Sequence, residues 1–294
     1  MISHTALKGL GVALITPFTE NDEVDYVALG RLIDYQVNSG IDYMVVLGTT
    51  GETPTLDEAE KAEITRFAVE RIAGRIPVVL GVGGNNTAAL VKRLQNDPLT
   101  GIDAILSVVP YYNKPSQEGI YQHYAAVAKA SPVPVIMYNV PGRTGVNILP
   151  ATGVRLANEC PNIVGFKAAS GNLAQVKELM ATKPEHFEVF SGDDSLTVDI
   201  MEAGGVGVIS VFGNAYPEEM TALVKAMQEG RVGDARNQHD RLNELFQLIF
   251  VDGNPSGVKA LLNIQGRVEN VLRLPLVPAC DDTYSELQQA MTAL

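Results

Sequence analysis

A lysine closes an apolar, strand-like run in the stretch IVGFKAASGN, residues 163–172. Side chains alternate along a strand, so Ile163, Gly165 and Lys167 are expected to share one face. If that face is buried, the loss of hydration lowers the pKa of the ammonium group and makes the amine a nucleophile near neutral pH. A lysine that reaches solvent or pairs with a carboxylate explains the same pattern. The run therefore leaves two hypotheses, a buried nucleophilic amine and an ordinary lysine that reaches the surface or pairs with a carboxylate.

Two further polar segments follow strand-like runs. Thr49 and Thr50 lie in GTTGE, whose glycines let the backbone approach a ligand and whose threonines offer donors to a carboxylate. The threonines could equally cap the next helix. Arg143 lies in VPGRTG, where its guanidinium group could bind a carboxylate or take part in a structural ion pair.

Two tyrosines complete the set of residues that could act with the lysine. Tyr138 lies in the run VIMYN, and Tyr112 lies in PYYNKP after the run AILSVV. Phenols beside an amine of lowered pKa can move the protons that imine formation with a carbonyl substrate requires. The paired tyrosine is equally expected from packing or from an interface between subunits.

The chain contains eight short runs rich in apolar and β-branched residues, separated by segments of helical period. Parallel strands need a crossover, which a helix supplies, so the alternation predicts successive βα units. Eight such units close into a (β/α)₈ TIM barrel, in which catalytic groups come from the carboxyl ends of the strands. An open doubly wound sheet is the alternative, but no glycine-rich dinucleotide turn follows the first run. The predicted strands are Leu10–Ile15, Tyr43–Leu47, Pro77–Leu80, Ala104–Val109, Val135–Asn139, Ile163–Ala168, Phe187–Ser191 and Val206–Val211.

The pattern changes after the eighth run, where helical segments follow one another without strands. We expect the barrel to comprise residues 1–216 and a helical extension packed on the barrel to comprise residues 217–294. No glycine- and serine-rich linker separates the two parts. The predicted helices of the extension are Glu218–Glu229, Asp234–Phe250, Pro255–Ile264 and Thr283–Ala293.

Two local features add expectations about the barrel. Thr55 and Glu58 form a capping-box pattern at the start of a predicted helix over residues 55–73. Gly165 and Gly207 lie in predicted strands, where they are expected to leave room at the barrel mouth.

Composition narrows the classes of function. The formal net charge is -12 and no dense block of lysine and arginine occurs, so a nucleic-acid partner is not expected. No apolar run reaches the roughly 20 residues that span a bilayer, and the amino terminus lacks a charged region before its apolar segment, which predicts no membrane association and a cytoplasmic location. Cys160 and Cys280 stand alone, and the four histidines are scattered, so neither a disulfide framework nor a metal centre is expected.

Five motifs lie at the ends of predicted strands, in order along the chain: GTTGE at Gly48–Glu52, PYYNKP at Pro110–Pro115, YNVPGRTG at Tyr138–Gly145, GFKAASGN at Gly165–Asn172 and SGDD at Ser191–Asp194. Together they resemble the dihydrodipicolinate synthase family of pyruvate-dependent Schiff-base aldolases, and the resemblance extends in order from about Gly9 to the carboxyl terminus. It implies a metal-independent class I condensation of pyruvate with L-aspartate 4-semialdehyde, giving 4-hydroxy-tetrahydrodipicolinate in diaminopimelate and lysine biosynthesis, with no cofactor.

The resemblance also implies catalytic roles for four residues. Lys167 matches the lysine that forms the imine with pyruvate, and Tyr138 matches the tyrosine that exchanges protons with that imine. Thr49 matches the hydroxyl that links two phenols. Tyr112 matches the tyrosine that reaches into the neighbouring active site across a tight dimer, and the family is usually a homotetramer, a dimer of dimers.

Substrate-binding roles follow in the same way. Arg143 matches the arginine at the cavity mouth that binds the carboxylate of the aldehyde substrate. Thr50 and the backbone around Gly192 and Ile209 match positions that line the pyruvate site.

The sequence departs from the family at a second, regulatory site. Members that lysine inhibits usually carry a histidine and a glutamate where this chain has Lys61 and Ala89, although Asn85 and Tyr111 of that site are present. A cation at Lys61 repels a lysine ligand, and Ala89 cannot pair with its ammonium group. We therefore expect weak or absent inhibition by lysine.

Two other functions stay open. N-acetylneuraminate lyase and 2-keto-3-deoxy sugar acid aldolases share the Schiff-base lysine and the strand-end tyrosine, since one fold hosts several substrates. Thr49 and Arg143 separate the two groups, because sialate lyases usually have serine at the first position and lack the second. A ligand sensor without catalysis is the other alternative, and the complete set of reactive residues argues against it.

Overall fold

The computed structural model describes residues 7–97 and 99–294, and its eight strands are all parallel. Each strand pairs with the next, and the first pairs with the last, so the sheet is a closed barrel. The prediction of a (β/α)₈ barrel is confirmed, and each predicted strand end lies within two residues of the observed one. The strands are β1 Gly9–Ala13, β2 Tyr43–Val46, β3 Val78–Gly81, β4 Ala104–Val108, β5 Val135–Asn139, β6 Ile163–Ala168, β7 Glu188–Ser191 and β8 Gly207–Ser210.

Twelve α-helices surround the described barrel or follow it. The second helix begins at Glu58, and the predicted capping box at Thr55 and Glu58 is wrong. Asp57 is the cap instead: its carboxylate accepts from the backbone N–H of Glu60 at 2.8 Å, and its own N–H donates to the Glu60 carboxylate at 3.0 Å. Residues 53–55 form a separate short turn, which moves the helix start downstream. The helices are α1 Tyr26–Asn38, α2 Glu58–Ile72, α3 Thr87–Asn96, α4 Gln117–Ala130, α5 Pro141–Thr144, α6 Pro150–Glu159, α7 Leu173–Thr182, α8 Thr197–Glu202, α9 Pro217–Gln228, α10 Val232–Leu248, α11 Ser256–Ile264 and α12 Asp281–Thr292.

The last four helices are the ones that the sequence predicts after the eighth strand. Helix α9 contacts β1 and α10, and α12 contacts both α10 and α11. The extension is therefore in contact with the barrel wall. The division of the chain after residue 216 stays a prediction.

Gly165 and Gly207 allow close packing within the barrel, which the sequence did not reveal. A Cβ atom on Gly165 would lie 2.8 Å from the Phe190 ring, and one on Gly207 would lie 1.9 Å from the backbone oxygen of Gly9. The Phe190 ring fills the space beside Gly165, and the backbone of β1 fills the space beside Gly207. The expectation that they open the barrel mouth is wrong.

A shift in strand register decides which residues of β6 face the interior. Val135 pairs with Ile163, but the next residue, Ile136, pairs with Gly165, so Val164 is an extra residue in the ladder. Val164 therefore packs with the interior cluster, and Ile163 packs with the outer layer between strands and helices. The expectation that Ile163 shares a face with Lys167 is wrong for this reason.

Asn214 ties the turn after β8 to the end of β1. Its buried amide donates to the backbone oxygens of Ala13 at 2.8 Å and Val211 at 2.9 Å, and its Oδ1 accepts from the N–H of Ile15 at 3.1 Å. These backbone groups are buried, so no water can replace the asparagine if it is lost.

We predict that Asn214→Ala lowers the free energy of unfolding by about 3 kcal/mol, because it leaves several buried backbone groups unpaired. Chemical denaturation measures the change. Asn158→Ala is the control, since the exposed Asn158 amide bonds only to Val154 within its own helix and should change the free energy by no more than about 0.5 kcal/mol. Equal losses in the two variants would contradict the prediction.

Candidate active site

Lys167 lies inside the barrel mouth near the carboxyl end of β6. Its side chain points to the interior, and the residue is only 4% exposed. In the ladder it pairs with Tyr138 of β5, and its Nζ lies 4.4 Å from the centroid of the Tyr138 ring. Of the two hypotheses from the sequence, the surface lysine is wrong.

Burial sets the reactivity of this amine. It lowers the pKa of Lys167 from 10.5 to about 8, while the carboxylate of Asp194 acts in the opposite direction and the charge of Arg143 adds to the lowering. A substantial fraction of the amine is therefore neutral near physiological pH, which a nucleophile requires.

Asp194 is a buried carboxylate that the sequence did not single out within the SGDD motif. Its Oδ2 accepts from the backbone N–H groups of Val211 at 3.0 Å and Phe212 at 2.9 Å, at the turn after β8. Burial raises the pKa of Asp194. The two backbone bonds fix the carboxylate in place, so its field on Lys167 is also fixed.

Tyr138 of β5 and Thr49 of the turn after β2 line the same cavity as the lysine. Tyr138 lies on the interior face of β5 with Ile136 and is almost fully buried. Burial raises the pKa of its phenol, while the charge of Arg143 and the hydroxyl of Thr49 act in the opposite direction. The phenol therefore keeps its proton at neutral pH and can donate it.

A cavity of about 290 Å³ opens above these side chains, and its lining includes most of the predicted site. Lys167, Tyr138, Thr49, Thr50, Arg143 and Gly192 all line it. A volume of this size suits a small ligand. The structure therefore brings together residues that lie up to 143 positions apart in the sequence, from Thr49 to Gly192.

The two backbone positions in the prediction occupy different places. A Cβ atom on Gly192 would lie 2.9 Å from Cε of Lys167 and 2.7 Å from Cβ of Ala169, so only glycine leaves the lysine enough space. Ile209 is fully buried within the interior cluster of the barrel and does not line the cavity among the described residues.

Asn254 is a residue of the site that sequence reasoning missed. It precedes α11 in the extension, and its amide donates to the hydroxyl of Thr50 at 3.0 Å. Its backbone oxygen accepts from the guanidinium group of Arg143 at 3.3 Å. The barrel rule pointed only to strand ends, so no signal in the sequence connected this residue with the cavity.

Tyr112 lies apart from this cavity. Its side chain is 88% exposed, and it is not among the described residues that line the space around Lys167. Its backbone has a φ of +72°, a left-handed conformation that is uncommon for a bulky residue. Within one chain the structure does not bring Tyr112 and Lys167 together.

A second cavity of about 480 Å³ adjoins the first. Thr49, Tyr138 and Arg143 line both cavities. Lys61 and Tyr111, which the sequence placed in the regulatory site, line the second, and the Lys61 ammonium group pairs with Glu58 at 2.8 Å. The weak response to lysine stays a prediction.

A model described as the dihydrodipicolinate synthetase family matches residues 6–294. The chain belongs to this family. A 4-hydroxy-tetrahydrodipicolinate synthase from Parabacteroides distasonis is 56% identical over 288 residues, covering 98% of this chain and 97% of the relative. One from Phocaeicola vulgatus is 54% identical over 291 residues, covering 99% and 98%.

Solved structures of the dihydrodipicolinate synthetase family agree with this fold. The dihydrodipicolinate synthase of Thermotoga maritima superposes with a TM-score of 0.95 at 40% identity and covers 98% of both chains. A structure described as the first monomeric dihydrodipicolinate synthase variant has a TM-score of 0.96 at 40% identity and covers 99% of this chain and 97% of its own.

Enzymes of the dihydrodipicolinate synthetase family need neither a metal ion nor an organic cofactor. Over residues 7–97 and 99–294, no group of three or more His, Cys, Asp and Glu side chains is placed to hold a metal ion. Within the same residues, no helix is both long enough and apolar enough to cross a membrane.

We predict that Lys167→Met raises the free energy of unfolding at pH 7 by about 3 kcal/mol, because the buried ammonium group is unfavourable in the folded state. The folded-state pKa of about 8 lies below the ordinary value of 10.5. The penalty is therefore complete below pH 8 and is lost as the pH rises toward 10.5, so the gain should be smaller at pH 10.

Chemical denaturation at pH 7 and at pH 10 measures this difference. Lys129→Met, at an exposed lysine on α4, is the matched control and should show little change at either pH. A Lys167→Met protein that is no more stable than the parent at pH 7 would refute the prediction.

Proposed function

We propose that this chain is a lyase that condenses pyruvate with L-aspartate 4-semialdehyde and yields 4-hydroxy-tetrahydrodipicolinate, in the route to diaminopimelate and lysine. The observation that carries the proposal is the buried Lys167 amine beside the Tyr138 phenol, at the base of the cavity. Relatives of that name are 54–56% identical over almost the whole chain. These relatives do not favour the alternative functions, N-acetylneuraminate lyase and 2-keto-3-deoxy sugar acid aldolase.

In the proposed first step, the neutral amine of Lys167 attacks the ketone carbon of pyruvate. The carbonyl oxygen takes up a proton, and the resulting carbinolamine loses water to give a protonated imine. Tyr138 is placed to supply and remove these protons, because its phenol lies against the amine and stays protonated.

In the second step, loss of a methyl proton converts the imine to an enamine. The enamine carbon then attacks the aldehyde carbon of the second substrate and forms the new carbon–carbon bond, while the aldehyde oxygen takes up a proton and becomes a hydroxyl group and the nitrogen returns to a protonated imine. Attack of the substrate's own amino group on the imine carbon releases Lys167 and closes the ring. Thr49 lies beside Tyr138 and is suited to pass protons between that phenol and a second one.

The two carboxylate substrates need separate binding groups. Thr50 accepts a hydrogen bond from Asn254 and lines the cavity around Lys167, where its hydroxyl and backbone suit the carboxylate of pyruvate. Arg143 lies between the two cavities and suits the carboxylate of the semialdehyde. Gly192, with the backbone near Ile209, completes the pyruvate side.

We assign Tyr112 to the active site of a neighbouring subunit, in a homotetramer built as a dimer of dimers. The support is its high exposure and its absence from the described residues that line the cavity around Lys167 in its own chain. A cytoplasmic location is supported by Cys160 and Cys280, which are free thiols such as a reducing compartment maintains.

Borohydride reduction in the presence of pyruvate should attach a pyruvyl group to Lys167, detected by intact mass and peptide mapping. The rate of labelling should rise as the pH increases through about 8, because only the neutral amine attacks. Lys167→Ala should lose the adduct and at least about 1,000-fold in turnover, whereas Lys129→Ala should retain both. If the parent protein gains no mass, the imine mechanism is refuted and a ligand sensor without catalysis is favoured.

Mixing two inactive variants tests the position of Tyr112. Tyr112→Phe and Lys167→Ala should each have low activity alone, and subunit exchange should restore part of it if Tyr112 acts in its neighbour. In the mixed dimer, one site then has an intact lysine and an intact tyrosine. Native mass spectrometry verifies that the subunits exchange. If the exchanged mixture is no more active than its components, Tyr112 acts within its own chain or has no catalytic role.

A further inference from the structure

A buried ion pair lies beneath the turn that carries Thr49 and Thr50. Glu52 ends this turn, and its carboxylate contacts the ammonium group of Lys259 on α11. Both side chains have 0% exposure. The pair therefore joins the loop after β2 directly to the carboxyl-terminal extension.

Both charged groups have further partners, so neither is left bare. The Lys259 ammonium group donates to the backbone oxygen of Val271 at 2.8 Å and lies 4.3 Å from the centroid of the Phe18 ring. The Glu52 carboxylate accepts from the backbone N–H of Arg273 at 3.1 Å. This ion pair, here called the anchor, is therefore bonded to two further residues of the extension, Val271 and Arg273.

The backbone of Glu52 has a φ of +53°, in the left-handed region. A non-glycine residue keeps this conformation only where its surroundings determine it. The N–H of Glu52 donates to the backbone oxygen of Thr49 at 3.1 Å, and its own oxygen accepts from the N–H of Thr55 at 3.0 Å. Glu52 therefore ends the Thr49–Gly51 turn and begins the next turn at Thr53.

Stability alone does not account for charges at these positions. Burial lowers the pKa of Lys259 to about 8 in spite of the attraction of Glu52. Replacing a buried ion pair by apolar residues of similar volume is often neutral or stabilising. A charge-assisted hydrogen bond, however, has a defined direction and length, which an apolar contact lacks.

We propose that Glu52 and Lys259 are positioning residues, whose ion pair holds the Thr49–Thr50 turn so that both hydroxyls stay aligned with the cavity. This inference rests on the proposed function for the roles of the two threonines. It assigns the extension a part in catalysis, because α11 carries one half of the anchor. Neither residue touches the reacting atoms.

The double variant Glu52→Gln/Lys259→Met removes both charges and keeps both shapes. It should unfold at a temperature close to that of the parent and should still form the borohydride-trapped adduct at Lys167. Its kcat should fall by about tenfold to 100-fold, and its KM for pyruvate should rise, because a small misplacement of the turn is enough to disturb proton transfer and carboxylate binding. Glu52→Gln alone leaves the buried ammonium group of Lys259 without its counter-ion, so it should show the same loss of kcat together with a lower unfolding temperature.

Leu287→Ala is the matched control, since Leu287 is fully buried on α12 and lies outside the turn and its anchor. It should lower the unfolding temperature without changing kcat or KM. A double variant with parental kcat and KM overturns the inference. A double variant that loses no more activity than Leu287→Ala, when both have lost the same stability, also overturns it. If the double variant does not fold, parental kinetics in Glu52→Gln overturn it in the same way.

Hydrogen exchange at the amides of Gly51 and Glu52 tests the anchor independently of turnover. These amides donate to Gly48 and Thr49 within the turn at 3.0 and 3.1 Å. Exchange should be faster in either charge variant than in Leu287→Ala, and equal protection overturns the inference. A parent protein that forms no pyruvate adduct would instead refute the proposed function, which the exchange experiment does not depend on.

Discussion

The burial of one ammonium group governs the organisation of the site. Lys167 lies inside a closed barrel, where hydration is lost and only the fixed carboxylate of Asp194 opposes the fall in its pKa. The surroundings adapt to this side chain. Gly192 leaves space for its methylene groups, and the Tyr138 ring lies against its amine. A group that is unfavourable for folding is thereby kept in a reactive state.

The carboxyl-terminal extension takes part in the site as well as in the fold. Asn254 holds Thr50 by its amide and Arg143 by its backbone oxygen, so it joins one candidate ligand of each substrate carboxylate. Lys259, on the helix that follows, contacts Glu52 under the same turn. The barrel supplies the candidate reactive groups, and the extension bonds to the loops that carry Thr50 and Arg143.

Within one chain, the candidate phenol of Tyr138 lines the cavity around Lys167 and that of Tyr112 does not. Tyr138 is buried at the base of the cavity, whereas Tyr112 is exposed. Arg143 lines both the cavity around Lys167 and the larger cavity that adjoins it. The proposed assembly explains why a bulky aromatic residue is exposed in a strained loop conformation.

Much of the barrel followed from the sequence alone. Alternating apolar runs and helical segments determine eight βα units, because each parallel strand needs a crossover, and strand ends then point to Thr49, Tyr138, Arg143 and Lys167. The five motifs indicated the family. These signals are local, so a single sequence displays them.

Only the tertiary structure decided the contacts between distant segments. The register shift at Val164 depends on pairing between β5 and β6, and the space beside Gly165 is filled by a ring from β7. The bond between Asn254 and Thr50 and the ion pair beneath their turn join residues more than 200 positions apart. Such contacts between distant residues form only when the chain packs, so no local pattern of residues predicts them.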